Sequence, residues 1–469
     1  MTSLRRMTPY LAPYRWVIFF GILTVILTVG TELVVPWALQ DVIDQGIRQN
    51  DLNAILSGSL VMLGAALADA IAALGQGVCR ARLSQGMAFD MRNDLFRHIQ
   101  ALSFATLDQM QTGGLMTRLS SDVDVVRTFS SNGLSLMLRA VLMIIGSVIM
   151  IVLTDWQLSL VMFACLGVAA VVIWGFMRLA RPLFTLVQQK LSVLNTIVQE
   201  NLAGIRVVKA FVRETFEISR FEDGNLDYME QNIKVGRLLA LVMPMLTLLT
   251  NLGLVAVVWF GGVDAIGGRL SLGELVAFNN YLMIGMTPLL LLGNMLNMAS
   301  RAEASAARVL EILDTEPLIR AVPASYAPDR LRGQVIFDRV SFHYNTGPDN
   351  GAASPSRHEQ GDVLDQVSFA AQPGQRLALL GATGSGKSTL VSLLSRFYEV
   401  TGGRILIDGV DVREWEPRTL RARIGLVPQE TILFSGTVRQ NIAFGRPDAS
   451  FEEVVAAAKA AQAHDFIMA

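Results

Sequence analysis

The chain contains 469 residues, more than one domain of ordinary size, so at least two domains are expected. Hydrophobic residues make up 52% of it and charged residues only 17%, which is apolar for a soluble protein. The net charge of −1 gives no indication of nucleic acid or another polyanion as a partner, and the two cysteines provide neither a disulfide framework nor a metal-ligand pattern. Nearly all the apolar sequence precedes residue 300, which predicts a domain boundary there.

Six apolar stretches before residue 300 predict six membrane-spanning helices, since about 20 apolar residues suffice to cross a bilayer. The first stretch precedes no small-residue cleavage site, so it is interpreted as an anchor helix and not as a removed signal peptide. The predicted spans are, in chain order, residues 16–35, 60–78, 134–153, 158–177, 238–260 and 275 to about 296. Together they predict a transmembrane domain over residues 1–298.

Two long connections, residues 79–139 and 178–237, carry charges throughout and have a pattern compatible with helix, with one break at Thr112-Gly-Gly114. Two helices of about 28 residues in each connection would extend some 40 Å from the membrane. The three short connections hold only Arg48 and Arg269, whereas the N-terminus and the long connections hold many basic residues. Positive charge stays inside the cell, which predicts that both helical hairpins and both termini are cytoplasmic.

A phosphate-binding motif lies in the C-terminal part of the chain. Residues 381–388 match G-x-x-x-x-G-K-[ST], with a strand-like run at 375–380 ahead of them and a helical pattern at 389–397 behind them. Backbone N–H groups of such a loop converge on phosphate, and the following helix directs its positive dipole end at the same anion. Lys387 is expected to reach the β- and γ-phosphates of ATP, and the Ser388 hydroxyl to coordinate Mg²⁺. The predicted nucleotide-binding residues of the motif are Gly381, Ala382, Thr383, Gly384, Ser385, Gly386, Lys387, Ser388 and Thr389.

The sequence around this motif predicts an α/β domain. Residues 299–330 are charged, then proline-containing, and are interpreted as a linker, so the N-terminal portion of a nucleotide-binding domain is expected at 331–469. Further strands are predicted at 334–344, 404–409 and 424–429, and a helix at 451–463. Residues 345–362 are rich in Gly, Pro, Ser and Asn and predict a flexible loop.

Six spans, two long cytoplasmic hairpins and a C-terminal P-loop domain together resemble an ABC exporter half-transporter over the whole chain. The resemblance implies an all-α, six-helix membrane domain with long cytoplasmic helical extensions, followed by an α/β P-loop ATPase domain. It implies that Tyr344 stacks on adenine and that Gln429 contacts Mg²⁺ and the attacking water. The hairpin tips near residues 112–119 and 204–214 resemble the coupling helices that dock onto a nucleotide-binding domain. The loop at 345–362 is longer than the family usually has.

The sequence departs from the family's pattern in one large respect, at the end of the chain. The family's Leu-Ser-Gly-Gly-Gln signature, its catalytic glutamate and its switch histidine all follow the position of Ala469, so the nucleotide-binding domain is expected to be incomplete here. The catalytic base is therefore unknown and expected beyond Ala469. Since hydrolysis needs a residue that orients water, residues 1–469 alone are expected to bind nucleotide and to hydrolyse it poorly.

Two acidic residues lie inside predicted spans, where ionisable side chains are costly and indicate a function. Asp69 in the second span is the candidate substrate residue, which could meet a cationic substrate or pair with a polar group of another helix. Glu32 lies near the outer end of the first span and is expected to be solvated.

The resemblance implies ATP-driven export of an amphipathic substrate, such as a drug-like molecule, lipid or peptide, across a cell membrane by alternating access. Two such chains, identical or paralogous, would pair so that the P-loop of one meets the signature of the other, with ATP and Mg²⁺ as cofactors and membrane lipids around them. A second hypothesis is a non-transporting membrane protein in which the P-loop domain is a nucleotide-gated regulator or channel gate. A tethered soluble ATPase fits poorly with six spans, because one span would anchor it.

Overall fold

The computed structural model describes residues 2–110, 112–317, 319, 326, 328, 330–344 and 362–469. The chain divides into two compact units, Met1–Leu102 with Met110–Glu316, and Ser103–Gln109 with Pro317–Ala469. The first part of the predicted linker, 299–330, continues a helix of the first unit to Leu313. The predicted loop at 345–362 lies outside the described residues, apart from Asp362.

The described part of the first unit is built from helices. Its elements, in chain order and with one short helix of the second unit (α4) between them, are α1 (Thr2–Arg6), a 3-10 helix (Thr8–Tyr14), α2 (Arg15–Asp41), a π-helix (Val42–Ile47), α3 (Leu52–Ala101), α4 (Phe104–Gln109), α5 (Thr112–Thr117), a π-helix (Arg118–Asp122), α6 (Val123–Thr128), a π-helix (Phe129–Gly133), α7 (Leu134–Thr154), α8 (Trp156–Ala203), α9 (Ile205–Ala210), α10 (Glu214–Ile266), α11 (Leu272–Met286), a 3-10 helix (Thr287–Leu291) and α12 (Leu292–Leu313).

Five of the described helical segments are long and apolar enough to cross a membrane, and they contain the first five predicted spans. They are Thr8–Ile47, Leu52–Ala101, Thr112–Thr154, Trp156–Ala203 and Glu214–Ile266. The sixth predicted span coincides with α11, the 3-10 helix after it and the first turns of α12. Pro288 lies in that 3-10 segment and lacks a backbone donor, so regular α-helical hydrogen bonding is interrupted there.

The two predicted hairpins are continuous with the membrane spans. α3 has 50 residues, α8 has 48 and α10 has 53, so each is roughly 70–80 Å long at 1.5 Å per residue. This is more than twice the roughly 30 Å thickness of a hydrocarbon core, and the excess length forms the predicted extensions. The Asp155 carboxylate accepts hydrogen bonds from the backbone N–H groups of Gln157 and Leu158, which fixes the very short turn before α8.

Among the described residues, the two larger apolar clusters of the first unit account for most of its buried core. One lies among the spans, where Met162 of α8 and Phe278 of α11 are buried. The other lies in the first hairpin, where Met87 of α3 packs with Val126 of α6 and Ile312 of α12. The second cluster explains how a charged hairpin remains helical outside the membrane, because its apolar residues recur at helical spacing and cover one another.

The second unit contains a four-stranded antiparallel sheet in the order β2-β1-β3-β4, with α13 packed against it. In the central strand β1, Phe337 pairs with Phe369 on one side and with Ile405 on the other. The predicted strands at 334–344 and 404–409 correspond to β1 and β3. The elements are β1 (Val335–Phe342), β2 (Leu364–Ala371), α13 (Lys387–Leu394), β3 (Gly402–Ile407), β4 (Val410–Asp411), α14 (Pro417–Ala422), α15 (Val438–Ile442), α16 (Phe451–Ala460) and α17 (His464–Met468).

Two predicted strands, at 375–380 and 424–429, are not strands in the structure. Neither run forms a ladder with another described segment. Leu380 is 93% exposed and Val427 is 94% exposed, so these apolar side chains lack the cover that a buried strand has. An apolar run is only half of the requirement, because a strand also needs a neighbouring backbone that pairs with its N–H and C=O groups.

Candidate nucleotide-binding site

The P-loop turns through two glycines with left-handed backbone angles. Gly384 has a φ of 86° and Gly386 a φ of 85°, a region that costs a residue with a Cβ roughly 1–2 kcal/mol. α13 begins directly after them at Lys387, so the loop leads into the N-terminus of that helix. The loop therefore has the turn and the helix start that favour phosphate binding.

Lys387 holds its ammonium group against the loop. Its Nζ donates hydrogen bonds to the carbonyl oxygens of Gly381 at 3.0 Å and Ala382 at 2.6 Å, and to the Ser385 Oγ at 3.3 Å. Ser388 is exposed in the first turn of α13, and its hydroxyl forms no hydrogen bond with another described residue. A cation and an available hydroxyl thus lie side by side at the start of the helix.

Tyr344 lies against the same helix. Its hydroxyl is 3.0 Å from the Thr389 Oγ1, and Thr389 itself is buried. The Tyr344 ring is edge-on to the rings of Phe342 and Tyr398, with centroid distances of 4.8 and 5.2 Å. The side chain remains 40% exposed, so part of the ring is accessible next to the P-loop. This placement is compatible with an adenine ring stacked beside the loop.

Gln429 is not joined to this cluster by a described contact. It is exposed in the irregular segment after α14, and it has no hydrogen bond with another described residue. Ala382 and Thr383 are exposed in the loop. The role of Gln429 toward Mg²⁺ therefore stays a prediction.

Helix α4 belongs to the second unit and packs beside the P-loop helix. The Phe104 ring centroid is 4.4 Å from that of Phe397, three residues after α13. The Tyr398 hydroxyl donates a hydrogen bond to the Asp108 carboxylate. Tyr398 also contacts Tyr344 edge-on, so one side chain contacts both the predicted adenine residue and α4.

The predicted position of the first hairpin tip, residues 112–119, is wrong. The helix α5 runs through the glycine pair at 113–114 and belongs to the first unit, whereas the hairpin segment placed in the second unit is Ser103–Gln109. The long helix α3 ends earlier, at an extended Leu102 with a ψ of 150°. Adjacent glycines weaken a helix without necessarily ending it, so the glycine pair was a poor indicator of where the turn lies. The second predicted tip, 204–214, contains the short helix α9.

Electrostatics at the α4 contact favour a stable hydrogen bond. Burial, followed by the hydrogen bond with the Asp108 carboxylate, raises the pKa of the Tyr398 hydroxyl, which therefore stays protonated as a donor. The Arg421 guanidinium lies 5.2 Å from the centre of the Phe397 ring. Burial, and then the neighbouring Arg396, lowers the pKa of Arg421.

The sequence offered only a weak signal for these α4 contacts. The adjacent aromatic residues Phe397 and Tyr398 directly after the P-loop helix indicate an apolar contact, but they do not identify the segment contacted. Asp108 is separated from Tyr398 by 290 residues.

The membrane residues differ from expectation in one case. Asp69 is half-buried on α3, and its Oδ1 is buried with no hydrogen-bond partner among the described residues.

Glu32 of α2 forms an ion pair with Arg139 of α7, so the expectation that Glu32 is merely solvated is wrong. A carboxylate within a span is stabilised by a cation from a neighbouring helix. Arg139, which interrupts the third apolar stretch, is the sequence signal for this pair.

Comparison with known proteins agrees with both halves of this architecture. Residues 18–289 match the ABC transporter transmembrane region, and residues 364–468 match the ABC transporter family. The chain is 37% identical over 470 residues to the uncharacterized ABC transporter ATP-binding protein YknU of Bacillus subtilis (strain 168), covering 100% of this chain and 78% of the relative. It is 34% identical to the uncharacterized ABC transporter ATP-binding protein YfiB of the same strain, over 98% of this chain and 78% of the relative.

A third relative from that strain, the putative multidrug export ATP-binding/permease protein YgaD, is 32% identical over 100% of this chain and 80% of its own length. The chain therefore belongs to the ABC transporter family, with a helical multi-pass membrane domain fused ahead of an ATP-binding domain.

Proposed function

We propose that this chain is one half of an ATP-driven exporter that moves an amphipathic substrate across a cell membrane by alternating access. The observation that carries the proposal is the series of contacts from Tyr344 beside the P-loop, through Tyr398, to Asp108 on α4. Because α4 lies in the polypeptide between α3 and α5, a nucleotide-dependent movement at Tyr344 has a short covalent route to the membrane helices. The name of YgaD, a putative multidrug export protein, supports the direction of transport.

ATP and Mg²⁺ fit the described loop. Lys387 and the N-terminus of α13 would hold the β- and γ-phosphates, and Tyr344 would stack on adenine. The exposed Ser388 hydroxyl offers the hard oxygen ligand that Mg²⁺ prefers, and Gln429 is proposed as a second ligand. Bound Mg²⁺ would neutralise charge on the transferring phosphoryl group.

The partner proposed for this chain is a second half-transporter, identical or paralogous. A half-transporter has one membrane domain and one ATP-binding domain. The resemblance of this chain to ABC exporters implies that two such chains pair around the transported substrate. The distribution of Lys and Arg supports cytoplasmic termini and hairpins, which would place the P-loop on the side of the membrane where ATP is found.

Asp69 is proposed as a substrate contact. Its partnerless buried oxygen on α3 supports this role, because an unpaired carboxylate in a span attracts a cation. Asp69→Asn should lower transport of a lipophilic cation at least tenfold while transport of a neutral substrate is retained. Equal loss for both substrates would assign Asp69 to helix packing instead.

Transport is tested with inside-out vesicles that contain the whole protein. ATP-dependent uptake of a lipophilic cationic dye should be lost in Lys387→Ala, because the phosphate-binding cation is removed. The matched control Lys459→Ala removes an exposed lysine of α16 and should leave uptake intact. ATP-gated ion current without ATP turnover would contradict the exporter and support the regulator or channel gate.

A further inference from the structure

A cavity in the first unit has no role in the proposed transport cycle. It lies between the 3-10 helix Thr8–Tyr14, α2, α3, α7 and the π-helix that precedes α7. Its volume is about 180 Å³, more than ten times the roughly 10–15 Å³ that one water molecule needs. Close-packed helices leave few voids larger than one water, so this space is better explained as a binding cavity than as a packing defect.

Most of the cavity wall is apolar. Val17, Ile22 and Val25 line it from α2, and Leu138 lines it from α7. Ile22 is 41% exposed, so the cavity is accessible from outside the first unit at α2. Apolar cavities do not hold water well and accept apolar groups, and the groups that surround a membrane span are acyl chains.

Two polar side chains without partners line the same cavity. The Arg80 guanidinium of α3 forms no ion pair or hydrogen bond with another described residue. Ser130 is only 7% exposed, and its hydroxyl likewise has no hydrogen-bond partner in the described part of the chain. Ser130 belongs to the π-helix Phe129–Gly133, a type of widened turn that is frequent at functional sites. Arg80 is exposed, so its cation is accessible, and a cation and a hydroxyl in the lining of one cavity are together complementary to a phosphate group.

The sequence also predicts that Arg80 lies near the depth of the phosphate groups of a membrane. This residue follows Val78, the last residue of the second apolar stretch, by two positions. The boundary between acyl chains and headgroups is therefore expected at this level of α3. A soluble anion would leave the apolar wall uncovered, and a lipid without a phosphate would leave the guanidinium unpaired. A zwitterionic lipid would offer a phosphate but would also bring its own ammonium group near the guanidinium, which favours an anionic lipid.

We propose that this cavity binds one anionic membrane phospholipid, with its phosphate at Arg80 and Ser130 and an acyl chain along α2 and α7. The site goes beyond the proposed transport function. It does not depend on that function, because it concerns binding to the first unit without nucleotide.

The protein carries its own reporter for this test. Cys79 lines the cavity and is half-buried, whereas Cys165, the second of the two cysteines, is buried in the membrane core. The whole protein in detergent is treated with a maleimide in the presence of phosphatidylglycerol or phosphatidylcholine. Mass spectrometry measures the rate at which Cys79 is alkylated. Phosphatidylglycerol should slow the alkylation of Cys79 at concentrations where phosphatidylcholine has no effect, because the ammonium group of phosphatidylcholine is repelled by Arg80.

Two arginine variants separate the cavity from a general basic surface. Arg80→Ala should raise the phosphatidylglycerol concentration for half-protection about fivefold, the effect expected of one basic residue near anionic lipid. The matched control Arg82→Ala removes a nearby arginine of α3 that does not line the cavity and has no ion pair within the described residues. It should leave protection unchanged. Equal effects of the two substitutions overturn the proposal.

The occupant and the cavity are tested separately. Equal protection by both lipids, or protection by a fatty acid but not by phosphatidylglycerol, overturns the assignment of an anionic phospholipid. Leu138→Trp fills the cavity and should abolish protection, and a thermal unfolding curve shows whether this variant is folded. Ser130→Ala, which changes little volume, should weaken protection as well. If the Leu138→Trp protein is folded and Cys79 is still fully protected, the cavity is not the site. If that variant is unfolded, full protection in Ser130→Ala leads to the same conclusion.

Discussion

Tyr398 donates a hydrogen bond to the Asp108 carboxylate, and the two residues are separated by 290 positions in the chain. Asp108 lies on α4, which emerges from the first hairpin of the membrane domain, and Tyr398 follows the P-loop helix. The same tyrosine contacts Tyr344 edge-on at a centroid distance of 5.2 Å. A shift of Tyr344 on nucleotide binding would therefore displace the ring whose hydroxyl holds α4.

Tyr398→Phe should loosen α4 without changing nucleotide affinity. The phenyl ring keeps the contact with Tyr344, and only the hydrogen bond to Asp108 is lost. A hydrogen bond to a charged group contributes roughly 1.5–3 kcal/mol, and the exposure of Asp108 reduces this to about 1 kcal/mol. Amide hydrogen exchange in residues 103–109 should therefore accelerate about fivefold. Asp108→Asn, which still accepts a hydrogen bond, should have a smaller effect, and unchanged exchange in Tyr398→Phe would contradict the role of this bond.

Gly386→Ala should destabilise the P-loop more than Gly384→Ala does. Both substitutions place a Cβ in the left-handed region, at a cost of roughly 1–2 kcal/mol. At Gly386 the new Cβ would also lie 2.7 Å from a Leu364 methyl and 3.0 Å from the Val363 carbonyl oxygen, whereas nothing lies within 4 Å at Gly384. Thermal unfolding and ATP affinity measure the difference.

The control for the loop is Gly374→Ala. Gly374 also has a positive φ, of 78°, and a Cβ added there would meet no described atom within 4 Å, so only the backbone cost applies. This variant should lose stability as Gly384→Ala does but retain ATP affinity. Equal stability of the Gly384→Ala and Gly386→Ala proteins would refute the predicted clash with β2.

Glu32 and Arg139 should show strong coupling in a double-mutant cycle. Arg139→Gln leaves the Glu32 carboxylate without its cation inside the span. The expected cost is about 2 kcal/mol, less than for a charge at the centre of a membrane helix because the Glu32 side chain is 28% exposed. Glu32→Gln combined with Arg139→Gln removes both charges and should recover about 1 kcal/mol relative to Arg139→Gln. Unfolding in detergent measures each variant, and strictly additive effects would show that the pair contributes nothing.

Glu303 should make the docking of α1 dependent on pH. Burial raises its pKa, but hydrogen bonds from the Ser3 and Leu4 backbone N–H groups outweigh this effect and lower the pKa to about 2. The ordinary value is near 4.5, so the carboxylate stabilises the folded state fully above about pH 4.5. This contribution is lost as the pH falls from about 4.5 toward 2.

The pH dependence is measured as the difference in thermal unfolding midpoint between the wild-type protein and Glu303→Gln. This difference should be largest at about pH 6 and should shrink at about pH 3, between the folded and ordinary pKa values. A difference that is constant over this range would exclude titration of Glu303 as its cause.

Local sequence patterns determined the architecture of this protein. Apolar stretches of about 20 residues predicted the spans, charged helical sequence predicted the long extensions, and the glycine-rich motif from Gly381 to Ser388 predicted the phosphate loop. These features depend on composition and short-range periodicity, which can be recognised within a short window of the sequence. The predicted domain boundary near residue 300 has the same basis, whereas the first compact unit extends to Glu316.

Tertiary structure decided the contacts between distant segments. The position of α4, the bond from Tyr398 to Asp108, and the ion pair between Glu32 and Arg139 join residues 107 to 290 positions apart. The runs at 375–380 and 424–429 have strand-like sequence but no ladder among the described residues. A helix satisfies its backbone hydrogen bonds within one segment of the chain. Strand pairing and charge pairing require a partner from another segment, which only the folded chain brings into place.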